Sequence, residues 1–454
     1  MSEASSLAGK GAAVQMTLKT KASSPDAKRG QKANTQIVVV GAGVAGCCAA
    51  IQAARLGVHV VLIERSGVCG GTLSLSGIAN PGLFFDENGR QIIGGIGWEL
   101  VKECVEICGD TMPDFNTYTP DTFWHFEIPV DPVVFTALCD AKMQECGVEI
   151  HYHTMLAGII RQNHRLMVTI CEKNGLCEMP ATCVIDCTGD ANAVHLAGGA
   201  VNIPSSCQPG TYSVTCYGID WERVDVEQIR AAFPAAHAAG EILAEDLGFG
   251  IEFSDLFIKR RGLNANHVSH INGGDSEGRT RLELAGRASL LRCYRFLKRF
   301  PGFEHLHFQY AGLECGVRES CTIKGLECVT ATDYLTGRKW PEPIANAFYP
   351  LDLHDADKGI IVQKLPAGVL PSVPRGALIP ANCEGLLAAG RIVSSDHEAN
   401  AGLRIQAVCM ATGQAAGALA ALSVHSALPP AEVQYSQLRQ TLLAHHAILP
   451  PTAD

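Results

Sequence analysis

Three short stretches carry the side chains best suited to chemistry: Arg318 and Glu319 in CGVRESCTIKG, Asp352 and His354 in YPLDLHD, and His397 with Glu398 in SSDHEANAG. An arginine offers a two-pronged donor set to a carboxylate or carbonyl. A histidine nearby can take the proton released when a hydride leaves a carbon, or return it in the reverse direction. Arg318, His354 and Glu319 are therefore the catalytic candidates, and Tyr349 is a further acid. Plainer readings stand beside these: an Arg-Glu pair also makes a structural ion pair, and a loop histidine is commonly satisfied by local hydrogen bonds. Cys315 and Cys321, six positions apart, could instead be a thiol redox pair.

Such groups need a rigid frame and an electron carrier, and the sequence places one near its start. QIVVV is a short β-branched run of the kind buried in parallel sheets. GAGVAG follows, with Gly41, Gly43 and Gly46 at GxGxxG spacing, then the small-residue helix AGCCAAIQAARLG and a second strand, HVVLIE, that ends on Glu64. Gly41 permits the tight turn, Gly43 lets backbone approach a pyrophosphate, and Gly46 allows close helix-to-sheet packing. The helix N-terminus offers free N–H groups to the anion, and Glu64 can accept from ribose hydroxyls. An acid at 64 would repel a 2′-phosphate, which leaves NAD or FAD. The segment ERSGVCGGT favours FAD: it sets Arg65 beside the acid and then Gly70, Gly71 and Thr72 in a loop suited to a second length of diphosphate and ribityl chain.

Further on, DPVVFTALCDAKMQECG reads as a helix, and the stretch from Val148 as a strand and a β-meander. VIDCTGD then reads as a strand returning Thr188, Gly189 and Asp190 to the cofactor end. Near the other end, CEGLLAAGRIVSSDHEANAGLRIQAVCMATGQ reads as a strand, the Gly390-Arg391 turn, a polar loop, and a helix starting close to Arg404. No second GxGxxG occurs, so a dedicated NAD(P)H domain is not expected.

The motifs VVVGAGVAG, CGGTLSLSG, GGIGWEL, VIDCTGDA, CGVRESCTIKGL, YPLDLHD, LIPANCEGLLAAGRIVSSDHEA and LRIQAVCMATGQAAGALAA resemble those of FAD-dependent oxidoreductases related to the fumarate reductase flavoprotein group, within the glutathione-reductase-like superfamily. The resemblance covers about residues 36 to 445. It implies an α/β fold: a Rossmann FAD-binding domain with a β-meander and an inserted α+β substrate, or cap, domain. The FAD domain would comprise 36–83, 129–201 and 379–445, and the cap 84–128 and 202–378. FAD contacts are implied for Gly41, Gly43, Gly46, Glu64, Arg65, Gly70, Gly71, Thr72, Thr188, Gly189, Asp190, Gly390, Arg391 and Arg404. Fumarate reductases carry a flavin-linking histidine beside the early glycine pair; Thr72 stands there in this chain, so noncovalent FAD is expected. Where many relatives are expected to have a basic pair after the Arg-Glu, this chain has Ser320 and Cys321. Disulfide reductases place their thiol pair just after the first βαβ unit, where this chain has only Cys69, which disfavours the thiol reading.

The expectation is hydride transfer between FAD and a small organic substrate, with a flavin monooxygenase or the flavin subunit of an electron-transfer complex as alternatives. Monooxygenases usually show Gly-Asp at the late flavin strand, where this chain has Gly390-Arg391. Against 36 basic residues stand 46 acidic ones, a net charge of -10, so nucleic acid is not an expected partner. No uninterrupted apolar run approaches the ~18 residues of a spanning helix, so no membrane is expected either. The 19 cysteines include no CxxC, and most fall inside expected helices and strands, where free thiols act as small hydrophobes. No metal is expected, and a reducing, cytoplasmic location is. Residues 1–35, rich in Ser, Ala and Lys, read as a disordered leader, with an organellar transit peptide as the alternative. A separate electron acceptor stays open, as does the oligomeric state.

Overall fold

The computed structural model describes residues 36–162 and 165–453. The expected leader, 1–35, lies outside them. β1 (Gln36–Val40) pairs in parallel with β2 (His59–Ile63) on one side and with β7 (Cys183–Asp186) on the other. β3 (Glu149–His151) beside β2 and the strand Leu386–Ala388 beside β7 complete a five-stranded parallel sheet. Side chains of β1 alternate between two cores: Ile37 and Val39 enter one, Val38 the other. Burial on both faces explains why the strand reads as an unbroken apolar run.

The first face carries α1 (Val44–Arg55) and the helices Ile96–Cys108, Pro132–Glu145 and Gln406–Ser426. The other carries the antiparallel meander β4 (Met155–Gln162), β5 (Arg165–Glu172) and β6 (Gly175–Ala181). The helix Gln406–Ser426 is long and apolar enough to cross a membrane by composition, yet most of it is buried in this core. It lies backbone to backbone on α1: a Cβ at Gly413 would sit 2.1 Å from the Ala45 carbonyl oxygen, and one at Gly417 2.3 Å from that of Ala49. Only glycine permits that approach.

A separate hydrophobic core forms within residues 212–317, from the helices Val226–Ala238 and Ser276–Leu297 and the antiparallel strands Val214–Tyr217 and His307–Tyr310. The expected cap boundaries are broader than this. Segment 84–128 was expected to be cap, but Phe84, Ile96, Leu100 and Phe126 pack in the first core, as do Tyr334, Trp340 and Phe348 from the later part of 202–378. The reason is the helix Ile96–Cys108, whose apolar face docks on α1 and the Gln406–Ser426 helix, with Ile96 N donating to Gln414 Oε1 at 3.1 Å.

Because the chain leaves β1 toward β2 on one side and reaches β7 on the other, a crevice opens beyond their carboxyl ends. Open α/β sheets bind ligands at such a switch point. Gly41 and Glu64 follow directly on strands of this sheet, and Thr188 and Gly390 come one residue further on after two others.

Candidate active-site cleft

At this crevice lies one cavity of about 520 Å³, within the range of small-molecule sites. Its first wall is the turn between β1 and α1. Gly41 has a φ of 95° and lies against the end of β7, where a Cβ would fall 2.6 Å from the Cys187 carbonyl oxygen. Gly43 caps α1 with no side-chain bond, and the first turn has no acidic residue, so its N–H groups are left for an external anion. A Cβ at Gly43 would meet only Gly71 Cα, 4.0 Å away, because the loop of Gly70 and Gly71 crosses the turn there. Glu64 clamps the arrangement. Its two carboxylate oxygens accept from Ala42 N and Ser66 N, each at 2.8 Å.

The second wall follows β7. Asp186, fully buried, accepts from Thr188 N, Thr188 Oγ1 and Val194 N and so shapes the Thr188–Asp190 loop. Burial raises its proton affinity, against those hydrogen bonds. Arg391 braces the same loop: it donates to Gly189 O at 2.6 Å, Val317 O at 2.8 Å and Asp190 Oδ1 at 2.6 Å. Burial disfavours the Asp190 charge, but Arg391, Arg279 and Ser320 outweigh it and hold the carboxyl below its ordinary range. Arg65 is likewise paired, with Glu314.

The far part of the cavity is lined by Phe123, Trp124, Glu127, Phe249, Arg260, Arg318, Tyr349, Asp352, His354 and Arg404. Asp352 and His354 come from a hairpin of Leu351–Asp355 with Gly359–Gln363, which points alternate residues, with Ile360 and Val362, at the cavity. His354 Nε2 meets Asp352 Oδ2 at 3.2 Å and His354 Nδ1 meets His267 Nε2 at 2.6 Å. Burial first, then Arg318, pushes His354 down to about 4, although Asp352 opposes this. Asp352 itself stays ionised. Burial works against its charge, but His354, Arg404 and Arg318 together win. Arg318 donates to Pro209 O at 2.6 Å and Thr211 Oγ1 at 2.8 Å; burial and the facing Arg404 bring it down to about 9. Arg404 Nε and Gln406 Oε1, both in residues lining the cavity, are buried without a hydrogen-bond partner among the described residues.

Thus Gly41, Gly43, Glu64, Arg65, Gly70, Gly71, Thr72, Thr188, Gly189, Asp190, Gly390, Arg391, Arg404, Arg318 and His354 all line this cavity. Two expected site residues do not. Gly46 packs inward, where a Cβ would fall 1.9 Å from the Gly41 carbonyl oxygen, so its role is the fit of helix to turn. Glu319 is buried behind the wall, accepting from Gln208 N at 3.4 Å and facing His397 Nδ1 at 2.8 Å, which makes the Arg-Glu motif two residues with separate partners. The polar loop expected before Arg404 is largely the helix His397–Leu403, capped by Asp396, and the long helix begins at Gln406. Glu127, Gln406 and Asp186 were missed. Asp186 alone had a local sign, as the acid ending a buried strand. The sulfurs of Cys47, Cys69 and Cys139, expected as core hydrophobes, lie buried within 4.8 Å of one another. Cys315 and Cys321 are free thiols: Cys321 donates to Asp190 O, and Cys315 Sγ lies beside Gly210.

A family model described as FAD dependent oxidoreductase matches residues 36–442. A urocanate reductase of Eggerthella lenta is 45% identical over 65 residues, which cover 14% of this chain and only 11% of that relative's length. Among solved structures, a geranylgeranyl bacteriochlorophyll reductase-like protein of Thermoplasma acidophilum is 13% identical, with 90% of this chain and 83% of that one covered at a TM-score of 0.43. The OxyS anhydrotetracycline hydroxylase of Streptomyces rimosus is 12% identical, with 89% and 64% covered at 0.41.

Proposed function

Because the chain belongs to the FAD dependent oxidoreductase family, with FAD as its cofactor, we propose that it holds the cofactor noncovalently in this cleft and passes a hydride between it and a small organic acid. The observation that carries the reading is the continuity of one cavity, from the uncapped N-terminus of α1 to the cluster of Arg318, Arg404, Asp352 and His354. The residues present fit the group. Gly43 and Gly71 leave a cradle without side chains for a diphosphate, and Glu64 keeps lone pairs toward a ribose. Gln406 Oε1 and Arg404 Nε are polar atoms that still want partners. Thr72 offers no ring nitrogen for a covalent link. When bound, FAD supplies the two-electron hydride chemistry.

The chain's own part is to bind and orient. Arg318 and Arg404 both face the ionised Asp352, and two guanidiniums against that one fixed carboxylate leave positive charge for a substrate carboxylate. Phe123, Trp124 and Phe249 give that carboxylate's carbon skeleton an apolar wall. In this reading the separate core of residues 212–317 is the cap, contributing Phe249, Arg260 and Asn264 over the cavity. We place the chain beside the fumarate reductase group on the motifs CGGTLSLSG and CGVRESCTIKGL. The 65-residue likeness to a urocanate reductase supports that placement and reduction of an activated double bond.

The test is anaerobic. Protein loaded with FAD and reduced with dithionite is mixed with fumarate, urocanate, cinnamate and crotonate, and oxidised protein with lactate, malate and mandelate. Return or loss of the yellow absorbance with at least one acid is expected. No change with any of them, or protein that takes up no FAD, would refute the reading.

A further inference from the structure

Hydride transfer to one end of a double bond needs a proton at the other, and most groups in the far part of the cleft cannot move one near neutral pH. Both ring nitrogens of His354 are occupied, by Asp352 and His267. Asp352 stays ionised and Tyr349 stays protonated, burial being the largest reason for the tyrosine. Arg318 keeps its Nη1 on Pro209 O and Thr211 Oγ1.

Glu127 differs from all of these. It stands directly after the one-turn helix Phe123–Phe126, in the aromatic stretch FWHFEIP, and lines the cavity. Tyr349 Oη donates to its Oε1 at 3.0 Å, while its Oε2 has no donor among the described residues. Glu127 also forms no ion pair within 4.0 Å among the described residues, so no fixed cation pins it in the charged form. We infer that Glu127 is the catalytic acid and base of the cleft, positioned by Tyr349, giving a proton to the substrate when it is reduced and taking one when it is oxidised.

The inference rests on the reading of the cleft as the FAD and hydride-transfer site. In the reducing direction the substrate's double bond takes a hydride from the bound reduced cofactor at one atom and the Glu127 proton at the other. The double bond becomes single, the cofactor is oxidised by two electrons, and Glu127 is left as carboxylate to be reprotonated by solvent. The charged and titratable groups facing Glu127 are Tyr349, Arg260, Asp352 and Arg404. Burial is the largest influence and Asp352 adds to it. Tyr349 and the two arginines oppose, and the carboxyl settles at about 7, where a general acid and base works in both directions.

Glu127→Gln keeps an oxygen for the Tyr349 hydroxyl and removes the proton. On the FAD-loaded protein, infrared difference spectra against pH should show a protonated carboxyl that titrates near neutrality and is missing from Glu127→Gln. In Tyr349→Phe the same band should titrate at higher pH, since a hydrogen bond favouring the carboxylate is gone. With the acid that reoxidises the reduced wild type fastest in the screen above, Glu127→Gln should react about 100-fold more slowly at undiminished FAD content. Glu127→Asp should recover part of the rate. A carboxyl that titrates below pH 5, or a Glu127→Gln rate within threefold of wild type, overturns the assignment. Colourless protein, or a screen in which no acid reacts, overturns the cofactor reading instead.

Discussion

Gly43 and Gly46 belong to one motif, yet the structure separates their roles sharply enough to test with one carbon atom each. Gly43 has φ -62° and ψ 174°, a conformation any residue adopts, and the nearest heavy atom to an added Cβ is 4.0 Å away. Gly43→Ala should therefore leave the apoprotein at wild-type stability or gain ~0.4–1 kcal/mol through a stiffer unfolded chain. In the proposed reading the methyl group would lie where the diphosphate approaches the turn, so FAD affinity should fall at least 100-fold, about 2.8 kcal/mol at 1.4 kcal/mol per decade. Gly46→Ala reverses the pattern. Its Cβ would fall 1.9 Å from the Gly41 carbonyl oxygen, and α1 would have to retreat by about 1 Å against the Gln406–Ser426 helix. That overpacking costs ~1–3 kcal/mol or more with no cofactor present. Urea unfolding of both apoproteins, followed by FAD titration watched through flavin fluorescence, reads the two effects independently. Wild-type FAD affinity in Gly43→Ala, or wild-type apoprotein stability in Gly46→Ala, would refute the geometry.

Arg391→Met removes two hydrogen bonds to the Thr188–Asp190 loop and one to Val317 O, and leaves Asp190 with Arg279 and Ser320; a loss of about 2–4 kcal/mol in urea unfolding is expected, with weakened FAD loading. Arg318→Met should keep the protein yellow while raising KM for an acid substrate at least tenfold in steady-state assays. Loss of colour would instead make Arg318 a cofactor or folding residue. The hydrogen bond to Glu319 raises the proton affinity of His397 above its ordinary value near 6.5. Its stabilising effect is therefore full below that value and lost as pH rises through the higher folded-state value. Thermal unfolding of the wild type between pH 6 and pH 9 should show that loss, and His397→Gln should flatten it.

The segment from β1 to Glu64 was legible because every signal in it is local: a strand, glycines at fixed offsets, a helix, and an acid at the next strand's end. The helix His397–Leu403 had a local sign too, Asp396 as its cap, but its polar sequence reads equally as a loop. Segment 84–128 shows the opposite limit. Its apolar residues declare that they will be buried, but nothing in their spacing says which core they fill. Glu127 was invisible for a related reason. Its meaning depends on Tyr349, Asp352, Arg260 and Arg404, all more than a hundred positions away, and a lone glutamate among aromatic residues carries no periodicity. Arg318 and Glu319 show why adjacency in sequence is not adjacency in a site: the chain bends there, so Arg318 lines the cavity while its neighbour turns to Gln208 and His397.

The backbone contact between α1 and the Gln406–Ser426 helix joins parts of the chain about 370 residues apart. During synthesis, the glycine turn leaves the ribosome long before Arg391, Arg404 and Gln406 exist to close the cleft. The nascent polypeptide must therefore carry the small-residue face of α1 and the glycine turn before it uncovered through most of translation.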